Sequence, residues 1–131
     1  MRKTFGLLIL AAVLVLSAGW GVDYEKLAAQ RDRYAQKREG DIVIVAIEEL
    51  EKTAYVDGIK LAVQQINERP DKLLGRTLQL QVRKGGASFD AEKAVIHQNA
   101  VDPRVVAVLG HRRSSVAVPA SVIYESSQVL F

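Results

Sequence analysis

Three short runs rich in apolar and β-branched residues, at positions 41–47, 78–82 and 105–109, alternate with stretches of helical periodicity. This alternation constrains the fold more than any other feature of the chain. Ile42-Val43-Ile44-Val45-Ala46-Ile47 has no polar position, so a strand there is covered on both faces, as in parallel sheets. Leu78, Leu80 and Val82 alternate with Gln79, Gln81 and Arg83, which marks a second strand with one face better buried. Val105 to Leu109 forms the third strand, and Val129-Leu130-Phe131 starts a fourth.

The intervening segments read as helices. Thr53 is a predicted N-cap, and Ile59, Ala62, Val63 and Ile66 then recur on one helical face. Gly58 inside that helix costs ~1 kcal/mol relative to Ala, which a close approach to the sheet would justify. Gly85-Gly86 breaks the second strand, and Asp90 is the predicted cap of the next helix. Glu92 falls in its first turn, where the helix dipole favours negative charge. Ala91, Ala94, Val95 and Val101 form its predicted apolar side, with His97 at the boundary. Asp102-Pro103 ends it. Pro119 places the first turn of a third helix beside Ser114 and Ser115, with Ser115 as its cap. Ala117, Ala120 and Tyr124 share one face of that helix. The order β-α-β-α-β-α-β predicts an α/β domain, a parallel sheet with helices on both faces and right-handed crossovers. The chain stops inside an apolar strand, so residues 41–131 read as a truncated domain.

Residues 1–22 stand apart. Arg2 and Lys3 precede a 12-residue apolar run from Phe5 to Leu16, and Ser17-Ala18-Gly19 follows. This is the three-part pattern of a secretory signal, which places the protein in a periplasm or outside the cell. A second reading stays open. The 18 residues from Phe5 to Val22 carry no charge, enough to span a bilayer of ~30 Å as an anchor in the inner membrane. Trp20 stands where a lipoprotein cysteine would be, so thioether lipidation is excluded. Residues 23–40 read as a charged helical linker. Tyr24, Leu27, Arg31, Tyr34 and Arg38 form a thin, half-polar stripe on a helix that is either solvated or a stalk.

Composition removes several function classes. The net charge of +3 includes Arg2 and Lys3, and no basic stripe with interleaved aromatics suits nucleic acid. The absence of cysteine excludes disulfides, thiolate catalysis and Cys-based zinc sites. His97 and His111 have no metal-ligand spacing. The chain contains no phosphate-binding loop, no dinucleotide fingerprint and no nucleophile elbow. His111 and Ser114 are close in sequence but have no third orienting group, so no catalytic residue, metal or cofactor is assigned.

Chemistry is specified in one stretch, Gly110-His111-Arg112-Arg113-Ser114-Ser115, between a buried strand and a helix N-terminus. Open α/β sheets bind small molecules at such loops, and helix N-termini favour anions. Arg112 and Arg113 bring two cations to the loop, either for an anionic ligand or toward solvent.

Residues 41–47, Gly58-x-x-Leu61-Ala62-x-x-x-Ile66-Asn67, Gly75-Arg76, Gly110-His111-x-x-Ser114-Ser115 and Pro119-Ala120-Ser121-x-Ile123-Tyr124-Glu125 together resemble the branched-chain amino-acid binding proteins. These are type 1 periplasmic binding proteins of ABC transporters. The resemblance covers the first part of the N-terminal lobe. It implies a solute-binding component that takes an amino acid or related carboxylate and partners an ABC transporter permease or a membrane sensor. In that family the serine matching Ser114 helps hold the ligand's α-carboxylate. Ser114 and Ser115 are therefore the candidate ligand-binding residues, and His111 is expected to pack within the loop. The alternative is a membrane-tethered interaction module that has lost ligand binding. N-terminal sequencing of the exported protein separates cleavage from anchoring: a start between Trp20 and Asp23 is expected, whereas an intact Met1 or Arg2 shows an anchor.

Overall fold

The computed structural model describes residues 21–37, 39–48 and 54–131. Residues 1–20 of the leader, Arg38 of the stripe, residues 49–52 and the proposed cap Thr53 lie outside the described residues. The elements run α1 (Tyr24–Lys37), β1 (Ile42–Glu48), α2 (Ala54–Glu68), β2 (Leu78–Lys84), α3 (Phe89–Val101), β3 (Val105–Leu109) and α4 (Ser114–Ser126). The three strands form one parallel sheet in the order β2-β1-β3. Leu130 continues it beyond β3, donating to Val106 O at 3.0 Å and accepting from Val108 N–H at 2.9 Å. The expected α/β architecture is thus present, with helices on both faces.

β1 lies at the centre because its residues are apolar on both sides. Val43, Val45 and Ile47 face a core shared with α3 and α4, including Ile96, Val116 and Tyr124. Ile42 and Ile44 face the smaller core formed with Val63 of α2 and Leu78 of β2. β2 pairs in register with β1, so its Gln79, Gln81 and Arg83 lie opposite Val43, Val45 and Ile47. This is the more polar side of an edge strand.

The predicted face of α2 packs inward through Ile59, Val63 and Ile66, joined by the buried Val56, while Ala62 is exposed. Gly58 has no heavy atom within 4 Å of where a Cβ would stand, so no close approach accounts for it. The buried residues of α3 are Glu92, Ile96, Asn99 and Ala100, whereas Ala91, Ala94 and Val101 are exposed. Two polar residues occupy the inward face, which a reading by apolar period assigns to solvent. Ser88, not Asp90, caps α3, with its Oγ accepting from Ala91 N–H at 3.3 Å. α4 starts at Ser114 as expected, but Arg113 is its cap residue and Ser115 already lies within the helix. Pro119 sits in the second turn, where it removes the amide that would pair with the Ser115 carbonyl. Val116 joins Ala120 and Tyr124 on the buried face, and Ala117 is half-buried.

α1 is attached to this lobe by Arg31, which is 6% exposed. Its Nε donates to Ser127 O at 2.8 Å, Nη2 to Ala100 O at 2.9 Å, and Nη1 to Asp102 O at 3.0 Å and to Val105 O. Arg76 holds the following connection, donating to Gly40 O and Glu39 O, each at 2.9 Å. No helix among the described residues is long and apolar enough to cross a membrane.

The open space around Gly58 generates a prediction. Gly58→Ala should stabilise the fold by about 0.5–1 kcal/mol, because Ala lowers unfolded-chain entropy and meets nothing in the helix. Chemical denaturation checks it.

Candidate ligand-binding site

The strand order places a topological switch between β1 and β3. The β1–α2–β2 connection leads to one side of β1, and the β2–α3–β3 connection returns to the other. Crevices at such points, outside the carboxyl ends of the strands, are where open α/β sheets bind ligands. The loop from Gly110 to Arg113 lies at this position.

Gly110 crosses close to β1. Its φ of +141° belongs to glycine, and a Cβ there would stand 2.7 Å from Ile47 Cβ. His111 follows with φ of 55°, the left-handed region, and its ring turns into the core. It is 4% exposed. Nδ1 lies 2.6 Å from Glu92 Oε2, and Nε2 lies 3.0 Å from the Tyr124 hydroxyl. Asn99 Nδ2 donates to that hydroxyl at 3.1 Å. With a neutral imidazole and Asn99 Nδ2 as donor, the Tyr124 hydroxyl donates to Nε2 and the Nδ1 proton goes to Glu92. Tyr124 and Phe131 surround the imidazole, with centroids 5.8 and 5.5 Å away.

The environment bears on Tyr124. Burial pushes its hydroxyl up to about 12, the nearby Glu92 charge adds to this, and the Asn99 hydrogen bond and Arg83 oppose it. The hydroxyl is therefore a neutral donor throughout the physiological range.

Further contacts set the loop. Arg113 Nη1 donates to Ala87 O at 2.7 Å, tying the loop after β3 to the one after β2. Gly86 in that second loop lies against α3, where a Cβ would come 2.8 Å from Ala91 Cβ. Arg113 O accepts the amides of Val116 and Ala117 at 2.9 and 2.8 Å and so starts α4.

Ser114 and Ser115 occupy the first two positions of α4 and are exposed. The amides of Ser114 and Ser115 have no acceptor within the helix, and the Arg113 side chain makes no capping bond. Two hydroxyls and the amides of this turn thus stand together at the positive end of the helix dipole. The arrangement suits a carboxylate or another small anion. His111 lies beneath the loop as a support, as expected, but its partners are on α3 and α4 rather than in the loop. Both ring nitrogens are engaged by Glu92 and Tyr124, which leaves neither for Ser114. Sequence reading missed Glu92 and Asn99. Their signal was their spacing: with Ile96 and Ala100 they fall on one helical face.

No protein-family model and no curated protein matches the chain. Among solved structures, it is similar to an ABC transporter substrate-binding protein from Desulfitobacterium hafniense, with 31% identity, a TM-score of 0.61 and 70% of this chain covered. The match spans 27% of that protein's length.

The Tyr124 environment predicts an alkaline weakness with a definite sign. The folded hydroxyl keeps its proton up to about 12, whereas an unfolded tyrosine loses it near 10. The associated stability is fully present below pH 10 and is lost as the pH rises toward 12. Tyr124→Phe should cost about 1–3 kcal/mol at neutral pH by unpairing His111 and Asn99. It should also show a smaller alkaline loss than the native chain. Denaturation curves on either side of pH 10 measure both effects.

Proposed function

We propose that this chain is part of the N-terminal lobe of an extracytoplasmic solute-binding component of an ABC transporter. The observation that carries the reading is the 31% identity to a substrate-binding protein over 70% of the chain. The site geometry supports it, because the exposed first turn of α4 stands at the switch point of the sheet. The proposed ligand is an amino acid of the branched-chain type or a related carboxylate. Ser114 Oγ and the first-turn amides hold its carboxylate, and Ser115 supplies a second hydroxyl. Arg112 and Arg113 add positive potential at the loop. Binding in such receptors closes two lobes over the ligand, so the other half of the site is expected on the second lobe. The proposed role is binding and delivery to a transporter permease, without catalysis or a cofactor.

Val118 and Val122 of α4, and Leu130 and Phe131 after it, are exposed. An open groove of about 450 Å³ lies beside them, lined by Ser121, Glu125, Gln128, Val129, Leu130 and Phe131.

Calorimetry of the full-length, two-lobed protein against amino acids and small carboxylates tests the reading. Saturable heat with at least one of them is expected. Ser114→Ala should weaken that binding roughly tenfold or more, the worth of a hydrogen bond to a charged group. Silence across the whole set, or an unchanged Ser114→Ala variant, would count against it.

A further inference from the structure

The contacts of Arg31 are those of a ligand in a receptor. All three guanidinium nitrogens donate, and the four acceptors are main-chain carbonyls from three places in the lobe. Ala100 and Asp102 belong to the end of α3, Val105 starts β3, and Ser127 is the cap residue after α4. Two helix C-termini therefore direct their negative dipole ends at one cation. No carboxylate among the described residues contacts it directly. The Asp102 carboxylate pairs with Arg104 at 2.8 Å and adds only a more distant attraction.

The receptor is built without its ligand. Val105 N–H donates to Asp102 O at 3.1 Å, and Ser127 donates to Ile123 O through both N–H and Oγ, at 3.1 and 2.8 Å. Neither hydrophobic core contains a residue of α1. Arg31 is the buried residue of α1, and the helix's other tie lies at the surface. There, the Tyr34 hydroxyl donates to Asp41 O at 2.9 Å, with Arg76 stacked 5.4 Å over the Tyr34 ring.

We propose that the carbonyls of Ala100, Asp102, Val105 and Ser127 form a guanidinium-binding site that Arg31 occupies as a tethered ligand, so that α1 docks and undocks from a lobe that stays folded. Shape sets the selectivity. A planar fork presents donors in several directions to four separated carbonyls, whereas an ammonium donates from a single point. The site lies at the amino end of the sheet and α4 separates it from Ser114, so it is distinct from the candidate anion site.

Hydrogen exchange followed by mass spectrometry on the whole chain tests this, together with thermal melts. In the native chain, α1 amides should exchange through an opening that leaves β1 and β3 protected. In Arg31→Ala, α1 should lose protection while the lobe keeps its own. Millimolar guanidinium, far below denaturing levels, should raise the melting temperature of Arg31→Ala with concentration, as mass action requires. Equal ammonium should not, and the native chain should gain nothing from either ion. Joint opening of α1 and β3 in the native chain would overturn the proposal. So would an Arg31→Ala chain that fails to fold, or guanidinium acting no differently from ammonium.

Discussion

The imidazole of His111, fixed between Glu92 and Tyr124, determines where the candidate site stands. The residue leaves the end of β3 in a left-handed conformation and turns its ring inward. Glu92 binds one nitrogen from α3, and Tyr124 binds the other from α4. Three elements therefore meet on one side chain. Because Gly110 and Arg113 flank it, the path of the loop and the start of α4 follow from that anchor. A buried polar group without partners is costly, so satisfied contacts at both nitrogens disfavour other loop positions.

The anchor and the proposed site divide the work of one loop. The side chains that fix geometry point inward and are shielded from water. Ser114 and Ser115, the proposed ligand contacts, are exposed and are not consumed by capping. Such a division is the condition for preorganisation: donors are held in place before the ligand arrives, and binding costs less ordering. The Arg113 bond to Ala87 extends this stiffness to the loop after β2. At the opposite end of the lobe, Arg31 gathers the C-termini of α3 and α4. α3 is therefore held near both ends by polar contacts to single side chains.

Much of this architecture was legible in the residues. The strands were, because Ile42-Val43-Ile44-Val45 has only one structural use and Val105 to Leu109 repeats it. The start of α4 beside Ser114 was also legible. The extent of α3 was legible but its buried face was not, because Glu92 and Asn99 look like solvent residues until their partners, 19 and 25 positions away, are known. Pro119 suggested a first turn, yet the helix tolerates it one turn later at the loss of one hydrogen bond. Arg31 looked like part of a half-polar stripe, since no local pattern shows that four carbonyls distant in sequence converge on it. In α3 and at Arg31 a long-range polar contact overrode a short-range rule.

A crystal structure of the proposed two-lobed protein, grown with an amino acid or small carboxylate, would test the central claim most directly. The account predicts a carboxylate oxygen within hydrogen-bond reach of Ser114 Oγ and of a first-turn amide of α4, with His111 still held between Glu92 and Tyr124. A ligand bound elsewhere, with the first turn of α4 open to water, would contradict it.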